Sequence, residues 1–184
     1  VEIKKRGGTR DDMLSRIAEH ESFWTSSKTD TVRAARYMDF GLSPVHTAVP
    51  IPGLRTIQDH GVVEIMRGCP NGCRFCHAGI FYRPFREKPF DVILEEVEYQ
   101  VATCGYREVT ISSLSTGDYS DVFPLVKRLN SVYRAQRVSF SLPSIRIDSF
   151  TLTLLEQVSA VRKSGLTFAV ETPRADWQRG INKE

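Results

Sequence analysis

From Gly61 onward the chain alternates short β-branched runs with segments of helical periodicity, and this alternation limits the fold more than any other feature. It is typical of βα units, whose strands pair in parallel through right-handed helical crossovers. The strands are predicted at 62–66, 109–111, 138–142 and 166–170. The fold class expected from the sequence is therefore α/β, with a curved parallel sheet.

Helices are predicted between these strands, because apolar residues recur there at helical spacing and polar capping residues precede them. The first is expected to end near Cys104. The predicted helix starts are Pro89, Ser120 or Asp121, and Asp148 or Ser149.

Residues 1–60 lack the alternation and carry one predicted helix, from Asp11 to about His20. We interpret 1–60 as a lead-in or linker and 61–184 as the N-terminal part of the βα sheet. A closed eight-stranded barrel takes about 250 residues. Because four strands supply half of one, and because the chain starts with Val and Glu184 lies in helical sequence, we expect a longer protein truncated after the fourth strand.

Composition excludes some classes of protein. The net charge of +3 comes from 25 Lys and Arg against 22 Asp and Glu, which is too small to indicate a nucleic-acid partner by itself. No apolar run approaches the ~20 residues that span a bilayer, and the first residues lack the apolar stretch of a signal peptide. We therefore expect a cytoplasmic protein with no membrane partner.

Cys69, Cys73 and Cys76 follow the first predicted strand with the spacing C-x-x-x-C-x-x-C. This spacing lets three thiolates converge from one loop on three corners of a cubane iron–sulfur cluster, and it leaves the fourth iron without a nearby thiolate. Clusters that only transfer electrons are ordinarily held by four cysteines. The incomplete set indicates that a substrate or cofactor binds the open iron directly.

The alternative is a structural zinc site completed by Cys104 or a histidine. Zinc sites favour paired C-x-x-C knuckles or paired histidines, and this loop offers one half of such a pair. His77 follows Cys76 directly, so its side chain would have to double back to reach the same ion. Cys104, at a predicted helix end, is interpreted as a small apolar filler.

With aromatic Phe75 before the last cysteine, the three cysteines match the C-x-x-x-C-x-aromatic-C signature of the radical S-adenosylmethionine (SAM) superfamily, which this chain resembles over roughly residues 60 to 184. The runs 63–79, 82–84 and 114–120 resemble an uncharacterised subgroup that often carries a cobalamin-binding domain upstream. The resemblance implies a partial parallel (β/α) barrel of the radical SAM type. Residues 1–61 are too short to contain the cobalamin domain.

The resemblance also implies roles for residues after the first two strands. Cys69, Cys73 and Cys76 would bind a [4Fe–4S] cluster whose open iron is chelated by the amino and carboxylate groups of SAM, and Phe75 would flank the adenine. After the second strand, the methionine amino group would be received by Ser115, Gly117 and Asp118. The alternative for Asp118 is a turn residue beside Gly117.

After the third strand, Ser144 and Arg146 resemble the family's segment near the cofactor carboxylate, for which a guanidinium offers a bidentate fork. The alternative is that Arg146 pairs with Asp148 or with a neighbouring helix. Glu171 follows the fourth strand, where relatives place a glutamate that contacts cofactor or substrate. The chain has Thr172-Pro173 where those relatives often continue with Ser or Gly.

The chemistry implied is reductive cleavage of SAM to a 5'-deoxyadenosyl radical, which then modifies an unknown substrate. It requires a one-electron reductant such as flavodoxin or ferredoxin, and cobalamin would enter through a domain outside this chain. The alternative is a non-catalytic iron–sulfur or zinc-binding module. A further alternative is that this segment is inactive without the rest of its protein.

A run of aromatic and basic residues, 80–88, offers rings for stacking and cations for phosphates, as single-stranded RNA requires. The alternative is a loop packed under its own rings, which is the commoner use of such a run. Of these two interpretations of the run, RNA contact is therefore the less favoured.

Overall fold

The computed structural model describes residues 2–26, 31–42, 49–54, 56–147, 152–162 and 168–183. The chain divides into two compact units, Val1–Met38 and Asp39–Glu184. The first unit contains two short helices, α1 (Glu2–Lys5) and α2 (Arg10–Ala18). No helix in the described part of the chain is long and apolar enough to cross a membrane.

Helix α2 corresponds to the helix predicted from Asp11. It begins where Thr9 and Asp12 form a reciprocal capping box: the Asp12 amide donates to Thr9 Oγ1 at 3.2 Å, and the Thr9 amide donates to Asp12 Oδ2 at 2.8 Å. Such a box satisfies amides that a helix start leaves unpaired. The linker role of residues 1–60 stays a prediction.

The second unit combines short strands with helices of five to twelve residues. Its strands are β1 Gly61–Glu64, β2 Met66–Arg67, β3 Arg86–Glu87, β4 Glu108–Ser112 and β5 Ser139–Ser141. Its helices are α3 His77–Phe81, α4 Phe90–Glu98, α5 Val122–Tyr133, α6 Leu152–Val158 and α7 Ala175–Ile181.

Strands β1, β4 and β5 form a parallel sheet in which β4 is central. Gly61 pairs with Val109, and Val109 pairs with Phe140. Helices and long connections separate the strands, as parallel pairing requires. The predicted α/β class with a parallel sheet is confirmed, whereas the partial (β/α) barrel truncated after its fourth strand stays a prediction.

The first predicted strand, 62–66, is two strands in the structure. At Ile65 the chain leaves β1 and enters β2, which pairs antiparallel with β3. The Ile65 amide donates to the Ser112 carbonyl at 2.9 Å, and its carbonyl accepts from the Lys88 amide at 2.8 Å. Ile65 therefore joins the two sheets, which periodicity within one segment does not reveal.

Other predicted elements differ in detail. Helix α4 continues as a π-helix over Tyr99–Thr103, so the predicted end near Cys104 is correct but the last turn is wider. Asp121 occupies the N-cap position of α5 without a side-chain capping bond. The helix starts predicted at Asp148 or Ser149, and positions 166–167 of the fourth strand, lie outside the described residues; 168–170 form no strand.

The core lies between the parallel sheet and the helices that connect its strands. Val63, Val109 and Ile111 from the strands are fully buried against Ile93 of α4 and Leu125 of α5. Burying such a side chain stabilises the fold by about 1.5–3 kcal/mol. The apolar residues whose helical spacing predicted these helices form the face that packs on the sheet.

One charged residue belongs to this interior. Lys88 is 7% exposed, and its ammonium lies 2.6 Å from the Glu96 carboxylate and 5.2 Å from the ring centroid of Phe40. Its carbonyl accepts from the buried Tyr119 hydroxyl at 3.1 Å. Burial, followed by the nearby Glu87 and Asp121 carboxylates, raises the pKa of Tyr119 to about 12.

Candidate cofactor site

The cysteine loop lies between β2 and α3, beyond the carboxyl end of β1. The loops after β4 and β5 leave the same edge of the sheet, so three consecutive loops meet there. Gly68 opens the cysteine loop with φ +80°, and a Cβ at this position would lie 2.6 Å from the Tyr82 carbonyl oxygen. Glycine is therefore required where the loop leaves β2.

Each of the three cysteine sulfurs faces one N–H donor, and the donors come from different parts of the chain. Asn71 Nδ2 lies 3.6 Å from Cys69 Sγ. Arg146 Nη1 lies 3.5 Å from Cys73 Sγ. The third contact, 3.4 Å from the Gly79 amide to Cys76 Sγ, makes Cys76 the N-cap of α3. Hydrogen bonds to cysteine sulfurs are typical of iron–sulfur sites, so these three contacts suit cluster ligands.

Asn71 links the cysteine loop to the loop after β4. Its side-chain amide donates to Asp118 Oδ2 at 2.5 Å and lies 3.4 Å from Ser115 Oγ. The Ser115 hydroxyl donates to the same Asp118 oxygen at 2.5 Å. Two of the residues predicted to receive the methionine amino group are thus held in one network with the cysteine loop, and Gly117 lies between them in a 3-10 helix, Thr116–Asp118.

A cavity of about 250 Å³ lies beside this network and is lined by Ser115, Ser144 and Arg146 together with Lys183. The Thr116 amide donates to the Ser144 carbonyl at 3.1 Å, which fixes the loop after β4 against the loop after β5. The structure therefore brings together three of the predicted cofactor residues. Such a volume is below the ~300 Å³ of the smallest ordinary ligand pockets, so it suits part of a cofactor.

Glu171 and Phe75 are placed differently from these three. Glu171 forms an ion pair with Lys183, with 2.7 Å between Oε1 and Nζ, and it does not line the cavity. Phe75 is 54% exposed, and Lys183 Nζ lies 5.8 Å from its ring centroid. Lys183 is thus the residue that connects both to the cavity wall.

Two of the predicted cofactor residues have left-handed backbone conformations, with φ +60° at Ser144 and φ +64° at Glu171. Non-glycine residues adopt this region at a cost of about 1–3 kcal/mol, and such positions cluster at functional sites. Both residues follow predicted strands at the same edge of the sheet. The strain supports the choice of these loops as functional segments.

Helix α7 covers one side of the cysteine loop. The Arg74 amide donates to the Ile181 carbonyl at 3.0 Å, and its guanidinium donates to the Gly180 carbonyl at 2.5 Å. A Cβ added at Gly72 would lie 3.1 Å from the Asn182 side chain. The sequence analysis assigned no role to this segment.

Among the described residues, no three His, Cys, Asp or Glu side chains converge closely enough to hold one metal ion. Thiolates that bind different irons of a cubane lie further apart than thiolates around one ion, so this geometry is compatible with the cluster. Cys104 precedes β4 and so lies towards the amino end of the sheet, whereas the cysteine loop follows the carboxyl end of β1. His77 is exposed and stacks on Phe81, with 5.4 Å between ring centroids.

Comparison with known proteins decides the family. The model of the Radical SAM superfamily matches residues 63–183, about two thirds of the chain. The chain belongs to the radical SAM superfamily. The match includes the cysteine loop, the second half of β1, all of β4 and β5, and α7.

Two relatives of the chain have names that refer to methylthio modification. The chain is 35% identical over 86 residues to a tRNA-2-methylthio-N(6)-dimethylallyladenosine synthase of Chlorobium phaeobacteroides, covering 47% of this chain and 19% of the relative. It is 29% identical over 82 residues to the ribosomal protein uS12 methylthiotransferase RimO of Thermosipho africanus, covering 41% and 19%. An uncharacterized protein of Methanocaldococcus jannaschii is 29% identical over 123 residues, covering 67% and 26%.

The predicted radical SAM family is therefore confirmed, and with it the expectation of an enzyme class that uses an iron–sulfur cluster and SAM. The chain spans about a fifth to a quarter of the length of these relatives. The activity of the whole protein, its substrate and its partners are accordingly proposals. The subgroup with a cobalamin domain, and the use of cobalamin, stay predictions.

Sequence reasoning missed two residues of this candidate site. Asn71 occupies a variable position of the cysteine signature, but a carboxamide between two cysteines is a signal for a hydrogen-bond donor to sulfur or to a neighbouring loop. Lys183 follows the last predicted strand by many positions, and no local pattern marks it. Only the placement of α7 brings its ammonium to the cavity.

Proposed function

We propose that Cys69, Cys73 and Cys76 hold a [4Fe–4S] cluster with one open iron. The observation that carries this proposal is the N–H donor at each of the three sulfurs, because hydrogen bonds to sulfur are a standard feature of iron–sulfur sites. Membership of the radical SAM superfamily supports it. Three thiols with no fourth cysteine in the loop fit a cluster that must bind a second molecule.

We propose further that the cavity beside the cysteine loop receives the methionine part of SAM. Asp118 does not line this cavity but accepts a hydrogen bond from Ser115, which does, and its carboxylate is suited to accept from the ammonium group as well, with Gly117 in the same loop. Ser144 and the Arg146 guanidinium line the cavity wall and are suited to the carboxylate. The backbone N–H and hydroxyl groups of both loops replace water around the charged groups of the cofactor.

Two predicted residues act at the edge of this site. Phe75 offers an exposed ring beside the last cysteine, which suits stacking on adenine. Glu171 is held by Lys183, so it contributes by fixing that ammonium or by releasing it when the cofactor enters. Neither residue is required to bind a metal in this proposal.

A cluster held by Cys69, Cys73 and Cys76 would supply the one electron for reductive cleavage of the carbon–sulfur bond of SAM, which would give methionine and a 5'-deoxyadenosyl radical to act on an unknown substrate. The electron comes from an external one-electron donor such as flavodoxin or ferredoxin. The chain's part is to orient the cofactor and exclude water. Cobalamin, if the whole protein uses it, would enter through another domain.

The test is anaerobic reconstitution of the full chain with iron and sulfide, followed by metal analysis and assay of 5'-deoxyadenosine with SAM and dithionite. We expect near-equal iron and sulfide, and loss of both in Cys73→Ala. Cys104→Ser is the matched control and is expected to keep the cluster. Stoichiometric zinc, or cluster loss in Cys104→Ser, would contradict the proposal.

The assay of 5'-deoxyadenosine separates the enzyme from a non-catalytic module. A chain that binds the cluster and SAM but releases no 5'-deoxyadenosine would be a cluster-binding segment that requires the rest of its protein for cleavage. A chain that binds zinc in its three cysteines would be a structural module. These outcomes are distinguishable in one preparation.

The substrate is a second and separate proposal, in which RNA contacts the run 80–88. Two relatives are named for tRNA and ribosomal-protein modification. Phe81, Tyr82 and Phe85 remain about half exposed, so the rings are available for stacking on bases. The test is fluorescence anisotropy with a labelled single-stranded RNA: Phe81→Ala should weaken binding, whereas Phe23→Ala, a control at an equally exposed ring, should not.

A further inference from the structure

The three N–H donors at the cysteine sulfurs differ in charge. Asn71 at Cys69 and the Gly79 amide at Cys76 are neutral, whereas the donor at Cys73 is the guanidinium of Arg146. Hydrogen bonds from charged donors are roughly twice as strong as neutral ones. The electrostatic environment of the three sulfurs is therefore asymmetric, because Cys73 alone among the three faces a donor with a formal positive charge.

The donors also differ in what holds them. Asn71 belongs to the cysteine loop itself, where Asp118 and Ser115 of the loop after β4 hold its side chain, and the Gly79 amide belongs to α3, the helix that follows directly. Arg146 reaches Cys73 from the loop after β5, 73 positions further along the chain. Its side chain is half-buried, so water screens its charge less than at the surface.

We propose that Arg146 is a positioning residue that raises the reduction potential of the cluster by donating to Cys73 Sγ. This inference rests on the proposed function, since it requires the cluster to be held by the three cysteines. Uptake of one electron from the external donor adds one negative charge to the cluster and its thiolates. A fixed positive donor at one sulfur favours the reduced form, because hydrogen bonds to sulfur and local net charge set cluster potentials.

The proposal gives Arg146 a role that carboxylate binding alone does not require. Its guanidinium lines the cavity and also contacts the cysteine loop, so one side chain connects the cofactor pocket with the cluster ligands. The effect on the potential should therefore be present before SAM binds. A residue that served only to bind the carboxylate would leave the potential of the SAM-free cluster unchanged.

The experiment is a redox titration of the reconstituted full chain without SAM, monitored by the electron paramagnetic resonance signal of the reduced cluster. At a fixed potential, Arg146→Gln should lower the ratio of reduced to oxidised cluster about tenfold, which is about 59 mV for a one-electron couple. Arg146→Lys keeps the charge without the fork and should fall between wild type and Arg146→Gln.

Arg74→Gln is the matched control. It removes the same charge from the residue next to Cys73, but its guanidinium donates to the Gly180 carbonyl and contacts no cysteine sulfur. We expect a change in the ratio of less than twofold. If the ratio of reduced to oxidised cluster changed equally in Arg146→Gln and Arg74→Gln, the effect would come from the loss of any nearby positive charge, and the proposal would be overturned. An unchanged ratio in Arg146→Gln would also overturn it.

A second measurement needs no variant and so covers the case in which Arg146→Gln fails to assemble a cluster. Electron spin echo spectra of the reduced wild-type chain should show a nitrogen coupling that changes when arginine is labelled with ¹⁵N, and the absence of that change overturns the proposal. Failure of the proposed function is separate, because it appears earlier as a wild-type chain without iron and sulfide.

Discussion

The two ends of the parallel sheet offer different kinds of cavity. The cavity at the carboxyl end is the smaller, about 250 Å³, and hydrogen bonds join its loops to each other and to the cysteines. The cavity at the amino end is about 830 Å³ and is lined by four arginines, Arg107, Arg134, Arg137 and Arg162. Size therefore does not identify the site; in parallel sheets, functional loops follow the carboxyl ends of strands.

The same two ends carry ion pairs of different environments. Near the carboxyl end, Lys88 and Glu96 have side chains 8% and 16% exposed, and at the amino end Arg162 and Glu108 are 71% and 42% exposed. Their closest N–O distances are nearly equal, 2.6 and 2.7 Å. Equal geometry in unequal surroundings lets the effect of burial be measured separately from contact distance.

The largest effect is expected for Lys88→Ala. It leaves the Glu96 carboxylate buried beside an apolar gap, which costs about 3–5 kcal/mol because the charge loses its partner. Urea unfolding monitored by circular dichroism measures this change. A double variant, Lys88→Met with Glu96→Leu, should recover most of the loss, and a change below about 1 kcal/mol in Lys88→Ala would contradict the burial of the pair.

The next effect concerns Tyr119, whose hydroxyl donates to the Lys88 carbonyl. Its pKa of about 12 exceeds the usual 10.0, so its contribution to stability is complete below pH 10 and is lost as pH rises from 10 to 12. We expect the unfolding free energy of wild type to fall by about 2 kcal/mol more than that of Tyr119→Phe across this range. Tyr82→Phe, at an exposed tyrosine, should follow wild type; parallel curves for wild type and Tyr119→Phe would refute the assignment.

A smaller effect is expected on SAM binding, and it tests which of the two cavities receives the cofactor. Asp118→Asn keeps the shape of the side chain but removes its charge, so the dissociation constant for SAM should rise about tenfold, or ~1.4 kcal/mol. Titration calorimetry with the reconstituted chain measures it. For Arg137→Gln, at the larger cavity, the dissociation constant for SAM should stay within twofold of the wild-type value. A rise comparable to that of Asp118→Asn would show that our proposal places SAM at the wrong end of the sheet.

The smallest effect is expected at the exposed ion pair. Arg162→Ala should lower the unfolding free energy by at most about 1 kcal/mol, because solvent screens the pair and ordering both side chains costs entropy. The difference should shrink further in about 0.5 M salt, measured by the same urea unfolding. A loss equal to that of Lys88→Ala would show that burial is not what separates the two pairs.

The sequence predicted the features that depend on local pattern. Short β-branched runs predicted β4 and β5, helical periodicity predicted α4 and α5, and the cysteine spacing with Phe75 carried the resemblance to the family. Patterns within one segment carry no information about pairing between segments. The break at Ile65 and the contact of Arg146 with Cys73 each depend on a partner more than 20 positions away.

Predicted roles of single residues follow the same division. The resemblance to the family assigned cofactor roles to Ser115, Ser144 and Arg146, in loops that follow predicted strands, and they do meet at one cavity. The same resemblance assigned a role to Glu171, which faces Lys183 because α7 brings that ammonium to it. The position of a residue after a strand predicts which edge of the sheet it reaches. The side chain that it contacts there also depends on segments that come later in the chain.

The two hydrogen bonds from Arg74 to α7 connect positions about 106 residues apart in the chain. Contacts of such separation form late, because the loop between them must first lose its conformational freedom. The bonds within 68–80 involve neighbours and form early. We therefore expect an order of assembly in which the cysteine loop takes its shape, and can receive iron and sulfide, before α7 closes over it.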